Sequence, residues 1–151
     1  MSSVSSSYCG APTYKLDPKN RIAIPTGWRP GEGVALFLLS GHRLELPTIK
    51  IYTRETFQQA VQKIWDDPES TEAQKDIYVG RMHARCEEST INGQGKLLIP
   101  KHMCEFAHLK SDVKLAARGP YFELWEPSLY TQVCLLEDES IIQINNKHGI
   151  L

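Results

Sequence analysis

Tyr14–Pro25 reads YKLDPKNRIAIP, and Ser89–Pro100 reads STINGQGKLLIP. The two stretches match at an offset of 75 residues: Leu16 falls on Ile91, Asp17 on Asn92, Arg21 on Lys96, Ile22 on Leu97, Ile24 on Ile99 and Pro25 on Pro100. A self-match at a fixed offset marks a duplicated supersecondary unit. Each copy reads as strand, tight turn, strand. In the first, Asp17-Pro18-Lys19-Asn20 is turn chemistry, because Asp accepts hydrogen bonds from the backbone ahead of it and Pro presets φ at the second position. In the second, Asn92-Gly93 and Gln94-Gly95 supply residues that tolerate positive φ. Beyond each turn the pattern alternates. Ile22 and Ile24 face one way, Arg21 and Ala23 the other, and Leu97 and Ile99 repeat the alternation. Pro25 and Pro100 end the strands, since Pro cannot donate to a ladder.

The likeness continues downstream. Val34 to Leu38 reads as a short apolar strand with a counterpart starting at Val113, and Glu45-Leu46 with Ile51-Tyr52 forms a further strand region echoed by Phe122 to Trp125. A helix follows each. Phe57, Ala60, Val61, Ile64 and Trp65 recur at helical spacing on one face, with Thr53 as N-cap and Pro68 as the stop. After Pro127, Leu129, Val133 and Leu136 make a shorter stripe. Ser70 to about Gly80 reads as another helix, with Ala73 and Ile77 inward. Met103, Phe106 and Ala107 share a face of a short helix after Pro100. Trp28, Trp65 and Trp125 read as core or interface anchors. Neither half is large enough to bury its apolar strand face alone. Two halves in one chain can interdigitate their hairpins into one barrel, which also covers exposed edges. The expected class is α+β, mainly β: a double swapped-hairpin barrel with flanking helices. The expected layout is a flexible arm at 1–7, a first repeat at 8–80, a second at 81–136 and a tail at 137–151, the two repeats forming one barrel.

The chain has 151 residues and a formal net charge of -1. Taken alone that charge argues against nucleic acid, but its distribution is uneven. Residues 1–52 hold six Lys or Arg against three Asp or Glu, and the remainder eleven against fifteen. A nucleic-acid face must therefore be local and lie mostly in the first half. No apolar run approaches the ~20 residues that span a bilayer, and the serine-rich start lacks the pattern of a secretory signal. The four cysteines, Cys9, Cys86, Cys104 and Cys134, are scattered without a C-x-x-C. They read as reduced thiols in the cytoplasm.

The stretch YCGAPTYKLDPKNRIAIP resembles the opening of MraZ proteins, with its aromatic-x-Gly start and an Asp-x-x-x-Arg loop ahead of Ile-Pro. The later stretch INGQGKLLIPKHMCEFAHLKSDVKLAARGPYFELWEPSLY resembles the second unit of that family. The resemblance runs from about Tyr8 to Val133. It implies an AbrB-like swapped-hairpin fold, assembly of many copies into a ring, and binding of double-stranded DNA at direct repeats in the promoter of the division and cell-wall gene cluster, by a cytoplasmic, nucleoid-associated regulator. It also implies that the Asp-x-x-x-Arg loops face DNA. The second loop departs from that pattern, with Asn92 in place of Asp and Lys96 in place of Arg; Asn20 replaces the usual turn Gly.

The residues support such a role independently. Asp17 and Arg21 flank a tight turn, so the carboxylate is expected to brace the guanidinium fork. A held Arg addresses phosphates or guanine edges. Lys15 and Lys19 suit phosphate contact. The candidate DNA-binding set is Lys15, Asp17, Lys19, Arg21, Asn92 and Lys96, with the first loop dominant. An AbrB-like antitoxin or scaffold that has lost DNA recognition is the alternative. An enzyme is not expected: Pro30-Gly31-Glu32-Gly33 lacks a full phosphate-loop pattern, adjacent Glu87 and Glu88 point to opposite faces of a strand, and the five histidines show no spacing tied to a nucleophile. No cofactor is expected. A zinc set of His83, Cys86, His102 and Cys104 matches ligand spacings only loosely, and no metal is expected.

Overall fold

The computed structural model describes residues 8–151; the expected arm at residues 1–7 lies outside the described residues. Strands β1 (Thr13–Lys15) and β2 (Arg21–Ala23) flank the first turn and lead into a 3-10 turn, Thr26–Trp28. A long hairpin follows, β3 (Ala35–Arg43) and β4 (Leu46–Thr53), then helices α1 (Arg54–Trp65) and α2 (Glu72–Ala84). The second copy repeats the plan with β5 (Cys86–Thr90), β6 (Lys96–Leu98), α3 (Lys101–Phe106), β7 (Asp112–Ala117), β8 (Phe122–Trp125) and α4 (Pro127–His148).

The strand pairing interleaves the copies. One antiparallel sheet has the order β1-β7-β8-β4-β3-β5, and β2 pairs with β6 as a separate ribbon. Only β3–β4 and β7–β8 join strands of the same copy; the ladders β1–β7, β2–β6, β3–β5 and β4–β8 all join different copies. Ile22 lies opposite Leu97, and Ile49 opposite Leu124. Both pairs are related by the same offset of 75, so an approximate two-fold axis passes through both ladders. The symmetry extends to single hydrogen bonds: Ile24 N donates to Gly95 O at 3.0 Å and Ile99 N to Asn20 O at 2.8 Å. This is the expected α+β swapped-hairpin arrangement, with one difference in detail. The ring of strands is not closed by continuous ladders; β1 passes to β2, and β5 to β6, through the hairpin bends.

The core follows from period-two alternation. Ile22, Ile24, Leu36, Leu38, Ile49 and Ile51 of the first copy meet Leu97, Ile99, Val113, Leu115, Phe122 and Leu124 of the second in one buried cluster. The other faces of the two hairpins are also covered. Phe37, Leu39 and Tyr52 pack on Phe57 of α1, and Ala116 and Trp125 on Val133 of α4. Double-sided burial explains the unbroken apolar run Leu36–Leu39, and it leaves every position of Phe122–Trp125 buried, Glu123 included.

Thr53 caps α1 as expected, in a reciprocal box with Thr56. Thr71 and Gln74 cap α2 in the same way. The inward face of α2 differs from the expected one. Ala73 and Ile77 are exposed, while Lys75 is buried and its Nζ donates to Trp65 O at 2.9 Å. The last carbonyls of α1 lack intrahelical partners, and an ammonium held there satisfies one of them. Met82, not Ile77, reaches the apolar cluster. Trp28 and Trp125 are buried, whereas Trp65 sits at the rim, 36% exposed. α4 runs without a break through Glu137-Asp138-Glu139.

One buried charge ties β3, β8 and α4 together. Glu123, 1% exposed, accepts from Arg43 Nε at 3.1 Å and from Trp125 Nε1 at 2.9 Å. Arg43 also donates to the Tyr121 hydroxyl at 2.7 Å and lies 3.9 Å from Glu137. Removing one partner of a buried pair leaves the other uncompensated. Arg43→Ala is therefore expected to lower stability by about 3 kcal/mol or more in chemical denaturation; a loss below about 1 kcal/mol, typical of a solvent-screened pair, contradicts this account of the network.

Candidate nucleic-acid interface

The two hairpin turns are built by the same bonds. Asp17 N donates to Arg21 O at 2.9 Å, and Asn20 N to Asp17 O at 2.9 Å. Asp17 Oδ1 accepts from Lys19 N at 2.8 Å and Arg21 N at 2.9 Å. In the second turn Asn92 N donates to Lys96 O at 2.8 Å, and Gly95 N to Asn92 O at 2.9 Å. Asn92 Oδ1 accepts from Gln94 N at 2.9 Å and Lys96 N at 3.0 Å. Asn20 and Gly95, equivalent in the repeat, hold φ of 61° and 77°. Asn tolerates this left-handed region better than most side chains.

This geometry corrects the expected brace. Asp17 does not clamp the Arg21 guanidinium; its Oδ1 is taken up by backbone N–H groups, an Asx-turn arrangement. Its Oδ2 lies 3.7 Å from Lys96 Nζ of the other loop. Those backbone hydrogen bonds, the one from Arg21 N first, hold the Asp17 carboxyl below its ordinary range, with smaller help from the Lys96 and Arg21 charges. Asn92 does the same backbone work without a charge. Loss of the carboxylate in the second turn therefore leaves the turn intact.

Ile22 and Leu97 are fully buried opposite one another. By alternation their neighbours Arg21, Ala23, Lys96 and Leu98 lie on the outer face of the ribbon. Arg21 stands opposite Leu98 and Lys96 opposite Ala23. Lys19 is exposed beside Arg21, and Asn92 is exposed at the second turn. Among the described residues the Arg21 side chain makes no hydrogen bond or ion pair. Arg21 and Lys96 thus share the outer face of the ribbon, Asp17 lies 3.7 Å from Lys96, and Lys19 and Asn92 are exposed in the adjoining turns. Lys15 is the exception in bonding: its Nζ donates to Asp112 Oδ1 at 2.9 Å, an exposed ion pair at the β1–β7 edge.

Sequence reading missed Arg29. Its Nε donates to Ile24 O at 2.8 Å, and its guanidinium lies against Gly95 of the second turn. A Cβ built on Gly95 would stand 2.4 Å from Arg29 Cζ. The signal available was a glycine where the first copy has Asn20, but only the folded chain shows what occupies the space.

The loosely spaced His83, Cys86, His102 and Cys104 are not gathered, and among the described residues no group of three or more His, Cys, Asp or Glu is placed to hold a metal ion. Burial pushes the Cys86 thiol up to about 11, with the Glu88 and Glu87 charges adding. Glu87 contacts His102 Nε2, whereas Glu88 pairs with Arg54 at 3.5 Å. No helix among the described residues is long and apolar enough to cross a membrane.

No family model matches the chain. It is 25% identical over 145 residues to a protein of Ruegeria sp. (strain TM1040) named transcriptional regulator MraZ, covering 88% of this chain and 85% of that protein. A protein of the same name from Nitrosococcus oceani is 25% identical over 134 residues, covering 87% and 89%. Another from Acidovorax sp. (strain JS42) is 28% identical over 126 residues, covering 80% and 83%.

The roles of Asp17 and Asn92 yield a direct test. Asp17→Asn is expected to keep the amides of Lys19 and Arg21 protected from exchange, as Asn92 does for its own loop, while Asp17→Ala exposes both. In the wild type the carboxylate's contribution is present above its unfolded pKa of about 4 and is lost as pH falls through its depressed value; the Asn variant lacks that acid dependence. Full protection in Asp17→Ala would show that the side chain does not hold the turn.

Proposed function

This chain belongs to the MraZ family, and from that premise we propose that it is a DNA-binding transcriptional regulator whose interface is the paired turns Asp17–Arg21 and Asn92–Lys96. One observation carries the reading: on the outer face of the β2–β6 ribbon, beside Lys96 and Lys19, the Arg21 guanidinium has no partner within the described chain. A two-stranded ribbon has the width to enter a major groove, where a guanidinium pairs bidentately with guanine O6 and N7. Lys19 and Lys96 address phosphates, fixing position without reading sequence. Lys96 is the weaker contributor, because a lysine lacks the planar fork and this one is shared with Asp17 Oδ2 at 3.7 Å.

A chain of net charge -1 cannot rely on its overall field to hold DNA. Non-specific contacts of this kind give Kd of about 10⁻⁴–10⁻⁶ M at physiological salt, and linked copies add about 10²–10⁴ by avidity. The proposal therefore includes a ring of subunits reading direct repeats in the promoter of the division and cell-wall gene cluster, at the nucleoid. The exposed Leu135, Leu136, Ile142 and Ile144 of α4 support self-association, since such a run of apolar side chains is costly to leave in water.

The test is a salt titration of binding to the duplex upstream of the protein's own gene. Arg21→Ala is expected to cost about 1–3 kcal/mol and to relax sequence preference, and Lys96→Ala to cost less and to act equally on all sequences. Equal losses contradict the asymmetry, and absence of binding by the wild type favours an AbrB-like module without DNA recognition. Light scattering that finds only monomers at working concentration removes the ring.

A further inference from the structure

Arg29 and Cys104 occupy equivalent positions in the two copies, 75 residues apart. Each points its donor at the equivalent carbonyl. Cys104 Sγ lies 3.7 Å from Ile99 O and is buried; Arg29 Nε lies 2.8 Å from Ile24 O and is exposed. A thiol is enough to satisfy that carbonyl. An arginine satisfies it with one N–H and keeps four more on Nη1 and Nη2. Among the described residues those nitrogens have no hydrogen bond and no carboxylate within ion-pair distance.

The second turn is shaped to receive this group. A Cβ at Gly95 would stand 2.4 Å from Arg29 Cζ and Nη2 and 2.7 Å from Nη1, so the guanidinium lies flat against bare backbone. The equivalent Asn20 carries a side chain. The copies therefore differ in a complementary way. The first turn has a guanidinium on its own strand, at Arg21. The second has Lys96 there, and receives a guanidinium from the other half of the chain. A shallow groove of about 300 Å³ lies between Arg29–Glu32 and Ile91–Gly95. Glu32 is the one carboxylate lining it, and it makes no ion pair with Arg29 among the described residues.

We infer that Arg29 is a phosphate-binding residue of the second turn, restoring there the planar cation that the turn's own sequence lacks. The inference rests on the DNA reading above and names a contact beyond it. Its ligand is the phosphodiester backbone, because the Nε anchor on Ile24 fixes the fork in one plane at the turn's flank, and phosphate oxygens accept from such a fork bidentately. Fixing the side chain before binding also reduces the ordering cost of contact.

The experiment uses the full chain with two fluorescent duplexes of equal length, one from upstream of its own gene and one of random sequence. Removing one phosphate contact lowers the slope of log affinity against log salt by about one. Arg29→Gln is expected to show that drop on both duplexes, and Arg29→Lys to keep the slope. If Arg29→Gln fails to fold, protection decides: bound duplex should shield Arg29 of the wild type from phenylglyoxal. An unchanged slope in a folded Arg29→Gln protein, or in its absence undiminished modification of Arg29, overturns this inference alone while Arg21-dependent binding persists. A wild type that binds neither duplex overturns the DNA reading and this inference together.

Discussion

Ile22 faces Leu97 across a ribbon of two three-residue strands, each from a different copy of the repeat. Neither strand has its ladder partner in its own copy. Each bends away from its preceding strand and hydrogen-bonds to the other copy's equivalent. This single pairing puts the Ile22 and Leu97 side chains into the core and their neighbours Arg21 and Lys96 outside. A slip of one residue would reverse both, turning charges inward and the core outward. Packing the core and presenting the cations are thus one constraint, and the site cannot form before the copies have interleaved.

The rest of the molecule supports that ribbon. The long β3–β4 hairpin and the shorter β7–β8 hairpin make its floor, and α1 and α4 cover their far faces. Where a carboxylate is buried in this frame, at Glu123, it is held by Arg43 of β3 and Trp125 of its own strand. The approximate two-fold symmetry then breaks where the chain meets its surroundings. The turns keep the same backbone bonds while the side chains around them diverge, so one fold carries two unequal turns.

The hairpins were legible in the sequence because turn chemistry and period-two alternation are local. Asp17, Asn92, Gly95, Ile22 and Leu97 sit where their own stretches require. The interleaving followed from the repeat, since neither half is large enough to bury its strand face. What escaped was set by residues far apart in the chain. Lys75 is drawn inward by a carbonyl at Trp65, which turns Ile77 outward. Lys15 is drawn to Asp112, 97 residues away. Asp17 was legible as a turn residue that accepts from the backbone ahead of it, but the added brace on the Arg21 guanidinium does not form. Arg29 reaches Gly95 only because the 3-10 turn after β2 folds it back over the ribbon, and no spacing rule signals that. The length of α4 was hidden by Ile141, Ile142 and Ile144, which follow an acidic run and remain exposed, so no amphipathic stripe marked them as helical.

The central claim is that the two turns act as one surface toward DNA. Deuterium exchange of the full chain, with and without the duplex upstream of its own gene, tests it most directly. The account predicts slowed exchange in peptides covering Asp17–Arg21 and Asn92–Lys96 together, with the buried strands unchanged. Protection confined to the helices, with both turns exchanging as in the free protein, would contradict it.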